Sequence, residues 1–211
     1  MKVEWVTVGP FQENSYLVTD AATRRGVLVD PGDEPSRIVR MVRAAGVDIE
    51  AIWLTHAHID HIGAVAAMRR EWKVPVLLHD ADLVLYRRAA QQAAFYGLEL
   101  EQPGDPDASI ADGDVLSVGE SRFTVRHTPG HSPGHVVFVA DRIMIGGDLL
   151  FAGSIGRTDL PLSSPEAMDA SLALIATFDP EIAVYPGHGP PTNIGTELAT
   201  NPFLASVRTT I

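Results

Sequence analysis

Two rhythms of apolar and polar positions alternate along this chain, and each switch between them marks an element. Short runs rich in Val, Leu and aromatic residues predict strands over Val3–Val8, Ser15–Thr19 and Gly26–Asp30, with Asp30-Pro31-Gly32-Asp33 a turn by composition. Ile38, Met41, Val42 and Ala45 then recur at helical spacing, so Ser36–Ala45 predicts a helix that stops at Gly46. A strand over Ala51–Leu54, a helix over His61–Trp72, a strand over Pro75–Leu78 and an Ala-rich helix over Asp82–Tyr96 follow, before a loop over Gln102–Asp107. The second half predicts strands over Val115–Val118, Phe123–Arg126, Val136–Val139, Ile143–Ile145 and Glu181–Tyr185. Between the last two, Ser164 suits an N-cap, with Pro165 at the first helical position and Glu166 in the first turn of a helix to Phe178. Two strand-rich halves with crossing helices predict two sheets packed face to face with helices outside.

Composition narrows the class. The 211 residues are 45% hydrophobic and 20% charged, which suits one globular domain over residues 1–211 rather than a disordered chain. The longest apolar runs, such as Val136 to Ala140, fall far short of the roughly 18 residues of a membrane span. Glu4 stands where a signal peptide would have its apolar core, so a cytoplasmic location is expected. Sixteen basic residues against 27 acidic ones give a net charge of −11, which argues against nucleic acid as a partner and for a small-molecule substrate. Oligomeric state is left open. With no Cys, any metal site must be built from His, Asp and Glu.

The eight His residues change the picture, because most of them cluster. Leu54-Thr55-His56-Ala57-His58-Ile59-Asp60-His61 sets four metal-competent side chains at the end of an apolar strand. In an extended segment residues two apart share a face, so His56 and His58 can bind one ion from the same side. Asp60 and His61 then stand where a helix begins, a place that favours a carboxylate. Further candidates follow predicted strands at His131 in Thr-Pro-Gly-His, Asp148 in Gly-Gly-Asp and His188 in Pro-Gly-His, each beside a glycine. Seven ligands can serve two divalent ions: His56, His58 and His131 for one, Asp60, His61 and His188 for the other, and Asp148 between them. Two divalent ions against two carboxylates and one shared hydroxide leave a net charge of about +1, a site for a developing oxyanion. The chemistry implied is hydrolysis, with the shared hydroxide as nucleophile and Asp60 and Asp148 as the carboxylates central to catalysis. The expected ions are zinc, with iron and manganese as alternatives.

Thr-His-Ala-His-Ile-Asp-His, Thr-Pro-Gly-His131-Ser-Pro-Gly-His135, Gly-Gly-Asp148-Leu-Leu-Phe and Tyr-Pro-Gly-His188-Gly resemble the metallo-β-lactamase superfamily, and within it the glyoxalase II (hydroxyacylglutathione hydrolase) branch in its short bacterial form. The resemblance spans nearly the whole chain and implies an α+β fold, a four-layer αββα sandwich of two related halves, with two metals at one edge. It also implies hydrolysis of a thioester such as S-lactoylglutathione. Two departures stand out. The longer enzymes of the branch add a C-terminal helical domain that binds glutathione, whereas this chain ends about ten residues after Asn201-Pro202. They also carry a tyrosine two residues after the last ligand His, where this sequence has Pro190.

Arg157 is the candidate substrate-binding residue. In the longer enzymes a lysine at the matching place, followed two residues later by a tyrosine, contacts glutathione; here those positions are Arg157 and Asp159. The competing role for Arg157 is an ion pair with Asp159 or Asp148. Gly130-His131-Ser132-Pro133-Gly134 fits the nucleophile-elbow pattern of serine hydrolases, but Pro133 has no N–H to donate to an oxyanion, so Ser132 is rejected as nucleophile. His135 is balanced between orienting a ligand and packing, His127 leans to packing, and His79 to capping or solvation. Asp30 and Asp33 suit either turn hydrogen bonding or a site role. The competing reaction is that of a persulfide dioxygenase on the same fold, with one iron held by His56, His131 and Asp148. A metal-binding protein without catalysis is a third reading.

Overall fold

The computed structural model describes residues 1–207, with side chains as far as Leu204. The first sheet follows chain order: β1 (Lys2–Val8), β2 (Glu13–Asp20), β3 (Arg25–Val29), β4 (Asp48–Trp53), β5 (Val76–Leu78) and β6 (Ala108–Ser109). Its first three strands are antiparallel and β3 to β6 are parallel. The second sheet repeats this scheme. Strands β7 (Val115–Val118), β8 (Ser121–His127), β9 (Val136–Ala140) and β10 (Ile143–Gly147) are antiparallel. A small hairpin, β11 (Leu150–Phe151) and β12 (Ser154–Ile155), precedes β13 (Ala183–Pro186), which joins β10 in parallel, and β14 (Thr192–Asn193) closes the edge.

Period-two alternation sorts side chains between layers. On the inner faces Tyr16, Val18, Val27 and Trp53 of the first sheet meet Phe123, Val125 and Phe138 of the second. Trp53 packs against Phe123 and Phe138 with ring centroids 5.5 and 5.1 Å apart. The intervening residues Leu17, Leu28 and Ile52 face outward under α1 (Pro35–Ala45), α2 (Ile59–Ile62), α3 (Val65–Trp72), α4 (Leu83–Tyr86) and α5 (Ala89–Phe95). Val137, Met144 and Val184 do the same under α6 (Pro165–Ile175), α7 (Ile194–Thr200) and α8 (Pro202–Val207). Cover on both faces buries β2 from end to end, its polar residues Glu13, Asn14, Ser15, Thr19 and Asp20 included. The result is the four-layer α+β sandwich of two related halves that the sequence implies.

Some elements differ from the sequence reading. The helix expected over His61–Trp72 begins earlier and divides into α2 and α3 at Gly63-Ala64. There the Ala64 N–H donates to the Pro31 carbonyl, and a Cβ on Gly63 would lie 2.3 Å from the Gly32 carbonyl oxygen. Close contact with the loop after β3 overrides helix continuity. The helix expected over Asp82–Tyr96 becomes a 3₁₀ turn at Asp80–Asp82, then α4 and α5 separated at Arg87-Arg88. Ser164 caps α6 as expected, its Oγ accepting from the Ala167 N–H at 3.2 Å. The helix ends at Ile175, short of Phe178.

Candidate metal centre

Every candidate ligand lies at one edge of the sandwich, where strands of both sheets end. His56 and His58 follow β4, Asp60 and His61 ride on α2, His131 lies between β8 and β9, Asp148 follows β10, and His188 follows β13. The seven expected residues converge. One set of nitrogens comes from His56, His58 and His131, and a second set of ligand atoms from Asp60, His61 and His188; within each set all atoms lie within 4.8 Å of one another. Asp148 stands between the sets. Its Oδ1 is 3.3 Å from His61 Nε2, and its Oδ2 is 3.4 Å from His131 Nε2 and 3.5 Å from His188 Nε2.

The imidazoles are oriented from behind. His61 Nδ1 meets Asp30 Oδ2 at 3.0 Å, His131 Nδ1 meets the Arg157 carbonyl at 2.8 Å, and His56 Nδ1 meets Thr55 Oγ1 at 3.0 Å. Each contact turns the Nε2 of that ring inward. Asp30 also accepts from the Thr55 N–H and hydroxyl at 2.7 and 2.6 Å, so both of its oxygens are committed and it acts as a positioning group. It lies within reach of His56 and His61 as a third potential ligand set, but these bonds assign it to the supporting layer. Asp33, three residues on, is exposed and accepts from the adjacent Glu34 N–H at 2.6 Å.

His135 proves to be an orienting group. Its Nε2 accepts from the Asp148 N–H at 3.0 Å while Nδ1 meets Thr128 Oγ1 at 3.0 Å. Gly147, just before Asp148, has φ +46°, and a Cβ there would come within 2.7 Å of His135 Nε2. A Cβ on Gly187 would lie 2.2 Å from Asp148 Oδ1, so that turn also excludes a side chain. Asp82 is the supporting residue that sequence reasoning missed. Fully buried, it accepts from the Ala57 N–H and the Ser132 hydroxyl at 2.8 Å each, and from the Gly134 N–H at 2.5 Å. It thereby ties the loop of His56 and His58 to that of His131, and it occupies the hydroxyl of Ser132. His127 stacks on His79 with centroids 4.2 Å apart and donates from Nε2 to the Pro133 carbonyl at 2.9 Å. His79 caps the 3₁₀ turn through Ala81.

Five buried side-chain atoms have no hydrogen-bond partner among the described residues. Two are Glu13 Oε1 and Thr19 Oγ1, and the other three, His56 Nε2, His61 Nε2 and Asp148 Oδ1, belong to the candidate ligands. Leaving such atoms unpaired is costly, so the arrangement fits cations supplied from outside the chain. Titration agrees with the fit. Burial, reinforced by neighbouring imidazoles, holds His56 well below the usual histidine range and pushes His58 down to about 3, so both present lone pairs at neutral pH. Burial alone would raise Asp60 and Asp148, but the neighbouring His61 charge outweighs it and keeps both carboxyls ionised. His61, despite burial, is pushed up by Asp148 and Asp60, the sign expected where a positive charge is wanted.

A cavity of about 250 Å³ opens over the centre, with Phe11, Gln92, Tyr96, Phe151 and Leu160 on its walls and Arg157 at its rim. The Arg157 guanidinium pairs with Asp159 through Nε and Nη2, at 2.8 and 3.0 Å, and both side chains are exposed. No helix among the described residues is long and apolar enough to cross a membrane.

Residues 8–188 match the family profile described as the metallo-beta-lactamase superfamily. A hydroxyacylglutathione hydrolase, GloC, of Haemophilus influenzae is 32% identical over 98% of this chain and 99% of its own. The crystal structure of TTHA1623 in a di-iron-bound form is 46% identical, with a TM-score of 0.89 over 95% of this chain and all of that one. The BLEG-1 B3 metallo-beta-lactamase is 33% identical, with a TM-score of 0.87 over 96% and 99%.

Proposed function

Because the chain belongs to the metallo-beta-lactamase superfamily, we propose that it is a dinuclear metal-dependent hydrolase, acting in the cytoplasm as a single domain on a thioester of the S-2-hydroxyacylglutathione type. One observation carries the dinuclear reading: Asp148 turns Oδ1 toward His61 and Oδ2 toward His131 and His188, so that one carboxylate serves two ligand sets. His56, His58 and His131 would hold one ion and Asp60, His61 and His188 the other, with Asp148 within reach of both sets. Zinc, iron or manganese suits these donors, and such ions acidify water and polarise a carbonyl oxygen.

The chain's own residues do the rest. Asp30, Thr55 and the Arg157 carbonyl fix three rings so that little reorganisation accompanies reaction. Apolar walls at Phe11, Phe151 and Leu160 limit water around the reacting carbonyl. Arg157 keeps Nη1 outside its pair with Asp159, which leaves that nitrogen for a substrate carboxylate. A thiol leaving group, with a pKa near about 8.5, departs as thiolate without a proton donor. This suits a centre whose carboxylates and imidazoles all face the ions, and the GloC relative supports the thioester.

Two measurements on metal-loaded protein test this reading: metal content, expected at two ions per chain, and thiol release from S-lactoylglutathione with no oxygen consumed. One ion per chain, with Asp60→Ala and His188→Ala leaving activity unchanged, would sink the dinuclear mechanism. Oxygen uptake with glutathione persulfide, without thiol release, would favour the mononuclear dioxygenase.

A further inference from the structure

The cavity over the metal centre runs on into a larger groove of about 560 Å³ that the reacting atoms do not need. The two share His58, Gln92, Tyr96, Arg157 and Leu160, so whatever lies in the groove is continuous with the centre. One wall is α4 and α5, the other the segment from Arg157 to Pro161. Leu85, Phe95, Leu160 and Pro161 make the lining largely apolar. Phe95 is 85% exposed and Tyr96 is 49% exposed, their rings in edge contact at 5.3 Å, which places two aromatic side chains in water beside the site. Paired exposed rings at the mouth of a cavity mark a surface meant to be covered.

Charge says by what. The chain carries −11 overall, yet the groove lining holds two arginines and no carboxylate. Arg157 is engaged by Asp159. Arg88, in the break between α4 and α5, has no ion-pair or hydrogen-bond partner for its guanidinium among the described residues. An unpaired cation at an apolar groove matches a ligand that is apolar along its length and anionic at its end.

We propose that the groove receives one arm of the substrate, a predominantly apolar chain ending in an anionic group, with Arg88 as the residue that selects for the anion. The proposal rests on the hydrolase reading only for where the reacting carbonyl lies. An amphipathic acid would cover the walls at Leu85, Phe95 and Leu160 with methylenes and bring a single charge to Arg88.

The test uses probes that cannot be hydrolysed: S-methyl thioether acids with about two to eight methylenes between sulfur and carboxylate, and matched analogues ending in methyl, titrated calorimetrically into metal-loaded protein. Kd is expected to fall about 2–4-fold with each added methylene until the groove is filled, the effect of burying one CH₂ in part or in full. Phe95→Ser, at an exposed position, should flatten that dependence. Arg88→Glu should raise Kd about 10-fold or more for the acids and leave the methyl-ended series unchanged. Kd independent of chain length, or an equal shift of both series by Arg88→Glu, would overturn the proposal. Thiol release from S-lactoylglutathione, measured in parallel, separates the two readings. Release together with length-independent binding removes the groove and keeps the hydrolase, and length-dependent binding without release removes the hydrolase and keeps the groove.

Discussion

The metal face and the groove wall lie side by side and are built on opposite principles. Behind the ligands of the metal face the supporting polar atoms are held by one another: Asp30 takes three contacts, Asp82 three, and His135 fixes the Asp148 backbone. Asp30, His56, His61 and Asp82 are buried under strand ends. The groove wall is made of helices of four and seven residues, α4 and α5, pinned by a few side-chain bonds such as Gln92 Nε2 to the Leu85 carbonyl at 2.7 Å and Gln102 Nε2 to the Tyr86 carbonyl at 2.9 Å. Its Phe95 and the adjacent Tyr96 face water. Chemistry at two ions needs ligands placed to fractions of an ångström, which only a rigid and fully bonded support provides. Recognition of an arm tolerates a softer wall, and such a wall can vary without disturbing the centre.

Four substitutions probe that contrast, from the largest expected effect downward. Asp148→Ala removes a ligand from both sets and the charge between them, so kcat should fall about 1000-fold or more, with bound metal dropping below two per chain. Near-normal turnover would refute the bridging role. Asp82→Ala leaves the Ala57 and Gly134 N–H groups and the Ser132 hydroxyl unpaired in a buried place, which should cost about 2–4 kcal/mol in urea unfolding. Because those groups anchor two ligand loops, metal affinity should fall about 10–100-fold as well. An Asp82→Ala protein that is less stable but binds metal normally would confine Asp82 to the fold.

Arg157→Ala should raise KM for an anionic thioester about 10-fold while kcat and metal content hold, since the interaction exists in ground and transition states alike. The carbonyl that orients His131 is backbone and survives the change. A drop in bound metal, or no change in KM, would show that the Arg157 side chain serves its loop through Asp159. Phe95→Ala should alter stability by less than about 0.5 kcal/mol, because an exposed ring contributes little to the folded state. A large loss there would mean that the wall is as firmly built as the face beside it.

The chain's local pattern determined a good deal by itself. Period-two apolar runs marked most of the strands of both sheets, and the cluster from His56 to His61, with His131, Asp148 and His188 beside glycines at later strand ends, pointed to all seven residues that converge. Those features are legible because each depends on neighbours in sequence: side-chain alternation, a cap at Ser164, the spacing of His56 and His58. What the tertiary structure alone decided are relations across long separations. The two-residue strands β6, β11, β12 and β14 exist through their partners and carry no pattern of their own. The break between α2 and α3 follows from contact with the loop after β3, and Asp82 looks like an ordinary helix start until the fold brings Gly134 to it. Asp30 could equally have served its own turn, and became the support of His61 because β3 ends beside α2. Arg88 was left facing the groove because the paths of two distant segments set which acid it could reach. Pairing and support of this kind depend on distance in space, and a residue's neighbours in sequence do not encode it.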